Sequence, residues 1–260
     1  MPDAAPTLEE LLDEAERRPL VGWDVGYDGR IVTAPPPWDF EALVDARIRA
    51  SPDLLDMGTG GGEWLSRRPF PKARIVATEG WAPNVAVARA RLAPLGGRVV
   101  AVEGAPDNAD QAGAAQLPSL PFADAVFHLV TNRHEAFVAA EVARVLAPGG
   151  SFLTQQIGGD FDAPMRALLG LAPQPPRSAW NLAEAERQVR AAGIQVMASG
   201  EGEARITFAD VGALAWYLIN LPWVLPGVPH EAWRPRLAAL YGHGPLSVGQ
   251  PMFWLEAEKP

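Results

Sequence analysis

The chain predicts an α/β fold built on a doubly wound, mostly parallel sheet with helices on both faces, and three observations carry that expectation. Short apolar runs alternate with stretches of helical periodicity along most of the 260 residues, the pattern of repeated βαβ units. Leu54-Leu55-Asp56-Met57 runs straight into a turn with glycine at positions 58, 60, 61 and 62, a strand end that lets the backbone approach a ligand closely. A hydrophobic content of 48%, with no linker, repeat or low-complexity tract, suits one large core. The expected organisation is a single domain over 1–260. It comprises a helical cap over 1–50, a cofactor-binding core over 51–157 and a C-terminal half over 158–260 with a helical lid near 210–247.

Taken in order, Thr7 and Glu10 form a capping box before Leu8, Leu11, Leu12 and Ala15, which predicts a helix over 8–18. Residues 22–33 read as irregular. Three prolines at 35–37 force an extended entry, and Asp39 caps a helix over 40–50. Strands are expected near 53–57, 74–79, 98–103, 126–131 and 151–157. Trp64 and Leu65 open a helical pattern directly after the glycine turn, placing helix N–H groups beside it. Pro83 sits in the first turn of an Ala/Arg/Val helix. Asn181 caps a helix over 182–192 that ends at Gly193. A further strand follows at 194–207, then a helical excursion over 210–241 rich in tryptophan, and a last strand at 252–257.

The glycine spacing discriminates between cofactors. A dinucleotide turn needs a third glycine at position 63, and Glu63 stands there, where a carboxylate repels a pyrophosphate. The acid and alternating glycines of Asp56-x-Gly58-x-Gly60-x-Gly62 instead resemble motif I of the class I S-adenosylmethionine-dependent methyltransferases. The order of later segments strengthens the resemblance. Arg74–Glu79 ends in an acid 23 residues after Asp56; Leu120-Pro121-Phe122 leads into a strand; Arg144-Val145-Leu146-Ala147-Pro148-Gly149-Gly150 matches the turn into a fifth strand. His128 stands where the family often has aspartate and is read as structural. The resemblance implies a Rossmann-like sheet of seven strands whose last strand is antiparallel. It implies S-adenosyl-L-methionine as cofactor, held by Asp56, Gly58, Thr59, Gly60, Glu79, Gly80, Trp81, Gln116, Thr131 and Asn132. In that set Asp56 serves the amino end of the methionine, Glu79 the ribose hydroxyls, Trp81 the adenine ring and Gln116 its amino group.

Methyl transfer from a sulfonium asks mainly for alignment and exclusion of water. An acceptor that still carries a proton also needs a base near neutral pKa. The run Asn132-Arg133-His134-Glu135 follows the fourth predicted core strand. A helix cap accounts for Asn132 and Glu135, but it leaves an Arg-His pair at a helix start, where positive charge is disfavoured. His134 is therefore the candidate base or substrate-orienting residue, and Arg133 the candidate anchor for a substrate carboxylate. Gln155 and Gln156 either contact ligand or sit as polar residues in the sheet. Trp23, Tyr27, Trp38 and Phe40 either line the pocket or pack.

The chain has no cysteine and a net charge of −9, which excludes thiolate chemistry and argues against nucleic acid as substrate. The histidines show no ligand spacing, so no metal is expected. No apolar run spans a bilayer, and a cytoplasmic monomer or homodimer acting on a small molecule is expected. Three alternatives stay open: an RNA or protein methyltransferase, a catalytically degenerate S-adenosylmethionine-binding protein and an NAD-dependent oxidoreductase.

Overall fold

The computed structural model describes residues 5–20, 24–70, 74–105, 108, 119–176 and 178–260. In chain order the elements are α1 (Leu8–Arg17), β1 (Ile31–Ala34), α2 (Phe40–Ala50), β2 (Asp53–Met57), β3 (Arg74–Glu79), α3 (Ala82–Leu92), β4 (Arg98–Ala101), β5 (Phe127–Arg133), α4 (Ala139–Val145), β6 (Leu146–Ile157), α5 (Ala163–Leu168), α6 (Leu182–Ala191), β7 (Gln195–Phe208), α7 (Val211–Asn220), α8 (His230–Leu240) and β8 (Leu246–Glu258). Contacts group them into two units. One holds Trp38–Gly159, Ser178–Gly202 and Met252–Pro260; the other holds Met1–Pro37, Asp160–Arg177 and Glu203–Pro251.

The first unit is the predicted α/β core. β2 pairs in parallel with β3 and with β5, β3 with β4, and β5 with β6, while β8 runs antiparallel to β6. Every residue of β2 is buried, as a strand covered on both faces requires. Its alternation divides two cores. Leu54 joins Val44, Ile48 and Leu92 on the side of α2 and α3, and Leu55 joins Val142, Ala185 and Phe253 on the side of α4 and α6. Helices therefore cover both faces. Phe137 lies fully buried in the second core, edge-on to Phe152 and Trp180.

In the second unit, α7 is the central element, with Val211–Leu218 all buried. The Trp216 indole donates to the Arg18 carbonyl at 2.7 Å and stacks on Tyr27 at 4.7 Å. Tyr27 is thus a packing aromatic of this unit. Arg30 bridges Glu14 and Asp210, and β1 pairs antiparallel with β7 from Ile31 against Phe208 to Ala34 against Arg205.

Three expectations need correction. The sheet has eight strands in the order β1-β7-β8-β6-β5-β2-β3-β4, not seven. The extra strand, β1, lies at the end of the stretch read as irregular and is only four residues long, too short for alternation to declare it. Second, among the described residues between the glycine turn and β3 there is only a 3-10 turn over Leu65–Arg67, where an α-helix was expected. Third, the alternative reading of Asn132 as a helix cap falls away, since Asn132 is buried inside β5 and α4 begins only at Ala139. The capping box at Thr7 and the caps at Asp39 and Asn181 form as expected.

Truncating Phe137 to alanine removes an aromatic from a core that cannot collapse around the gap. Urea denaturation of Phe137→Ala is expected to show a loss of about 3–5 kcal/mol, and a loss below about 1 kcal/mol would contradict this packing.

Candidate functional site

The sheet order reverses between β2 and β5, since the chain builds outward through β3 and β4 and then returns to the other side of β2. Ligands of open α/β sheets bind beyond the carboxyl ends of the strands at such a reversal. Asp56 on β2 sits at that point. It is buried and accepts a 2.7 Å hydrogen bond from the Thr131 hydroxyl on β5. Burial raises its carboxyl to about 6, against the lowering effect of the Thr131 bond.

Beyond Asp56 the turn is shaped by close approach. Gly58 has φ of +67°, and a Cβ there would lie 2.5 Å from Cγ of Glu135. Gly80, after β3, would place a Cβ 3.0 Å from both the Gly104 nitrogen and the Val102 carbonyl oxygen, backbone atoms that cannot move aside. The Thr59 nitrogen donates to the Thr78 carbonyl at 2.9 Å, tying the turn to β3. At the tip of β3, the Glu79 carboxylate accepts the backbone N–H of Trp81 at 2.8 Å. Trp81 itself is 56% exposed. A cleft opens here, lined by Gly58, Gly80, Glu103, Gly104 and Glu135 among others.

The end of β5 carries two separate sets of groups, because its side chains alternate between faces. Asn132 faces Thr154 and Gln156 of β6. The Gln156 amide donates to Oδ1 of Asn132 at 2.5 Å, to the Thr154 hydroxyl at 2.7 Å and to the Glu135 carbonyl at 3.1 Å. Asn108 completes this set by donating to Gln156 at 3.4 Å and accepting the Phe137 N–H at 2.8 Å.

On the other face, Arg133 lies over the Trp64 ring, 5.2 Å from its centroid. His134 follows in the left-handed region, with φ of +60°, a conformation that costs of order 1–3 kcal/mol outside glycine and clusters at functional sites. Its N–H donates to the Gln155 carbonyl at 2.8 Å, and its Nε2 lies 3.3 Å from Nε2 of Gln155. Trp38 donates to Oε1 of Gln155 at 2.8 Å. His134 keeps solvent exposure, while surrounding protein and then the Arg133 charge push its imidazole below the ordinary histidine range.

The structure thus gathers Asp56, Gly58, Thr59, Gly60, Glu79, Gly80, Thr131 and Asn132 at adjoining strand ends and turns. Trp81 follows Glu79 closely, and Arg133 and His134 form a second group on the α2 face. Gln116 and Trp23 lie outside the described residues. Trp38 binds Gln155, and Phe40 packs against Trp64 at 6.2 Å. His128 accepts a structural role, bonded to Asp53 through both its backbone N–H and its ring. The sequence reading missed Glu135, whose chain lies against Gly58 and Gly104. Its one signal was its place beside Arg133 and His134 in a polar run. Burial, reinforced by the charge of Glu79, raises the Glu135 carboxyl to about 7.

An acid whose carboxyl titrates higher in the folded than in the unfolded chain holds its proton more tightly when folded. Glu135 therefore favours folding below its ordinary value of 4.5, and that contribution is lost as pH rises toward 7. Glu135→Gln removes the effect. Denaturation at pH 5 and pH 8 is expected to show the variant gaining about 2 kcal/mol relative to the parent at the higher pH. Parallel pH profiles would place Glu135 in solvent.

No family model matches the chain, and no curated protein matches it in sequence. Solved structures do match. The YcgJ protein of Bacillus subtilis aligns at 18% identity with a TM-score of 0.56, over 85% of this chain and 97% of that one. A putative methyltransferase of Bacillus halodurans aligns at 19% identity with a TM-score of 0.52, over 83% and 98%. A protein of unknown function from Deinococcus radiodurans aligns at 18% identity with a TM-score of 0.51, over 88% and 91%. At these identities the likeness is one of fold, shared with a putative methyltransferase among others.

Proposed function

We propose that the protein binds S-adenosylmethionine in the cleft at the ends of β2 and β3 and transfers its methyl group to oxygen or nitrogen of a small molecule. One observation carries the reading: the acids around the glycine cradle. Asp56 and Glu79 sit at neighbouring strand tips, and Glu103 and Glu135 line the cleft. Carboxylates in that arrangement attract a ligand with a sulfonium and an ammonium and repel one with a pyrophosphate. The close backbone at Gly58 and Gly80 leaves no room for side chains there, as a cradle passing beneath a flat cofactor needs. The cofactor, when bound, supplies a methyl group activated by positive sulfur.

The chain's own residues then have separable tasks. Asp56, held by Thr131, pairs with the ammonium of the cofactor's amino-acid end. Glu79 keeps one oxygen on the Trp81 N–H and has the other for the ribose hydroxyls. Trp81 offers an exposed ring for adenine, and Gln116 is proposed for its amino group. Gly58, Thr59, Gly60 and Gly80 shape the backbone of the cradle, and Asn132 holds the strand end beneath it. Arg133 and His134 face the acceptor.

Calorimetry tests this reading. S-adenosylmethionine and S-adenosylhomocysteine are expected to bind and NAD to fail. Asp56→Asn is expected to weaken S-adenosylmethionine at least tenfold, the order of a lost charge-assisted pair, and Glu79→Gln by about 1–3 kcal/mol. Unchanged affinity in both variants would remove the cofactor from this cleft.

A further inference from the structure

We infer that Arg133 and His134 form a carboxylate-binding corner, with the Arg133 guanidinium as the charge and the Nδ1–H of His134 as a fixed second donor. The inference rests on the methyl-transfer reading only for naming where that carboxylate comes from: the methyl acceptor, or the amino-acid end of the cofactor.

The histidine argument follows from donor inventory alone. An indole N–H can only donate. The Gln155 atom that meets Trp38 at 2.8 Å is therefore its carbonyl oxygen, Oε1. That assigns the other end of the amide, the NH₂, to the side facing Nε2 of His134 at 3.3 Å. An amide NH₂ also only donates, so Nε2 of His134 must accept and the ring proton sits on Nδ1. In a neutral imidazole Nε2 then carries the one available lone pair, and Gln155 uses it. The ring presents a donor to a ligand and has no free lone pair with which to take a proton. Its left-handed backbone, tied to the Gln155 carbonyl, fixes where the ring stands.

Arg133 supplies the second half. It is half-buried, yet among the described residues it makes no hydrogen bond and no ion pair. The Trp64 ring beneath it attracts its charge but satisfies none of its five N–H donors. Asp56 and Glu41 act on it only through space, and Glu41 is already paired with Arg68, which Asp45 also binds. The Arg133 donors are left open to a ligand, and a planar guanidinium matches a carboxylate with two parallel bonds. Arg133 and His134 are consecutive residues, and the charge of Arg133 is felt at the His134 ring. Both open on the face opposite Asn132 and Gln156.

The test uses ¹⁵N-labelled full-length protein without added cofactor. Long-range ¹H–¹⁵N correlation, with His134→Gln to assign the signal, is expected to show the Nδ1–H tautomer at pH 7. Gln155→Leu is expected to abolish that preference. Benzoate as probe is expected to shift the His134 signal, and benzamide to leave it in place. Arg133→Met is expected to weaken benzoate at least tenfold, with Arg133→Lys intermediate; the lysine variant keeps the charge over Trp64 and guards against a folding defect. The two sources are told apart by calorimetry with S-adenosylmethionine and its decarboxylated analogue. If Arg133→Met weakens the first and spares the second, the corner holds the cofactor's carboxylate. If it spares both while benzoate is lost, the corner holds the acceptor's. Arg133-dependent benzoate binding in a protein that ignores S-adenosylmethionine would keep the corner and discard methyl transfer. An Nε2–H tautomer, or benzoate and S-adenosylmethionine both bound equally by Arg133→Met and the parent, overturns the proposal.

Discussion

The candidate site depends on how one buried amide is satisfied. Gln156 lies inside the sheet, where unpaired polar groups are costly. It shares the two hydrogens of its NH₂ among Asn132, Thr154 and the Glu135 carbonyl. Through the last of these, a residue of β6 holds the segment that leaves β5. The Glu135 side chain is thereby kept against Gly58 and Gly104, and the strand alternation sends Arg133 to the other face. The set is not fully satisfied: Nδ2 of Asn132 is buried with no partner. Polar networks of this kind rigidify a core when complete and are its most costly part when incomplete. The arrangement mounts the end of β5 on β6 through one shared amide.

Acids and a cation stand close together around the end of β5. Asp56 bonds Thr131 on the face that also carries Arg133, while the Glu135 side chain lies against Gly58 and Gly104. Burial raises both carboxyls toward neutrality, and at Asp56 the Thr131 bond and the Arg133 charge work against that rise.

Much of this was legible in the chain, and the reasons for success and failure are local. β2 and β3 were readable to the residue, because a fully buried parallel strand is a short apolar run closed by an acid or glycine. The caps at Thr7, Asp39 and Asn181 were legible because a side-chain oxygen at a fixed offset is a mechanism, not a tendency. β1 was not, since its pairing with β7 is decided by residues more than 170 positions away. The helix expected after the glycine turn failed because Trp64 and Leu65 are both buried, and tertiary burial rather than helical period explains their apolar character. At the site, the acids were legible as strand-end residues, since Asp56 and Glu79 close short apolar runs. The tautomer of His134 was not legible, because it depends on Trp38 and Gln155, which only the fold brings together.

The antiparallel closure of β6 by β8 has a consequence for how the chain is made. Ser151 pairs with Glu258 and Ile157 with Met252, so synthesis delivers one partner roughly a hundred residues after the other. Until then β6 presents an open row of backbone donors and acceptors beside a finished run of parallel strands. Exposed edges of that kind recruit other chains, and non-local pairings are slow to form. The nascent protein therefore passes through an interval in which its own later segment competes with neighbouring ribosomes' products for the same edge. The tempo of translation thus becomes a second variable beside the stability of the finished fold.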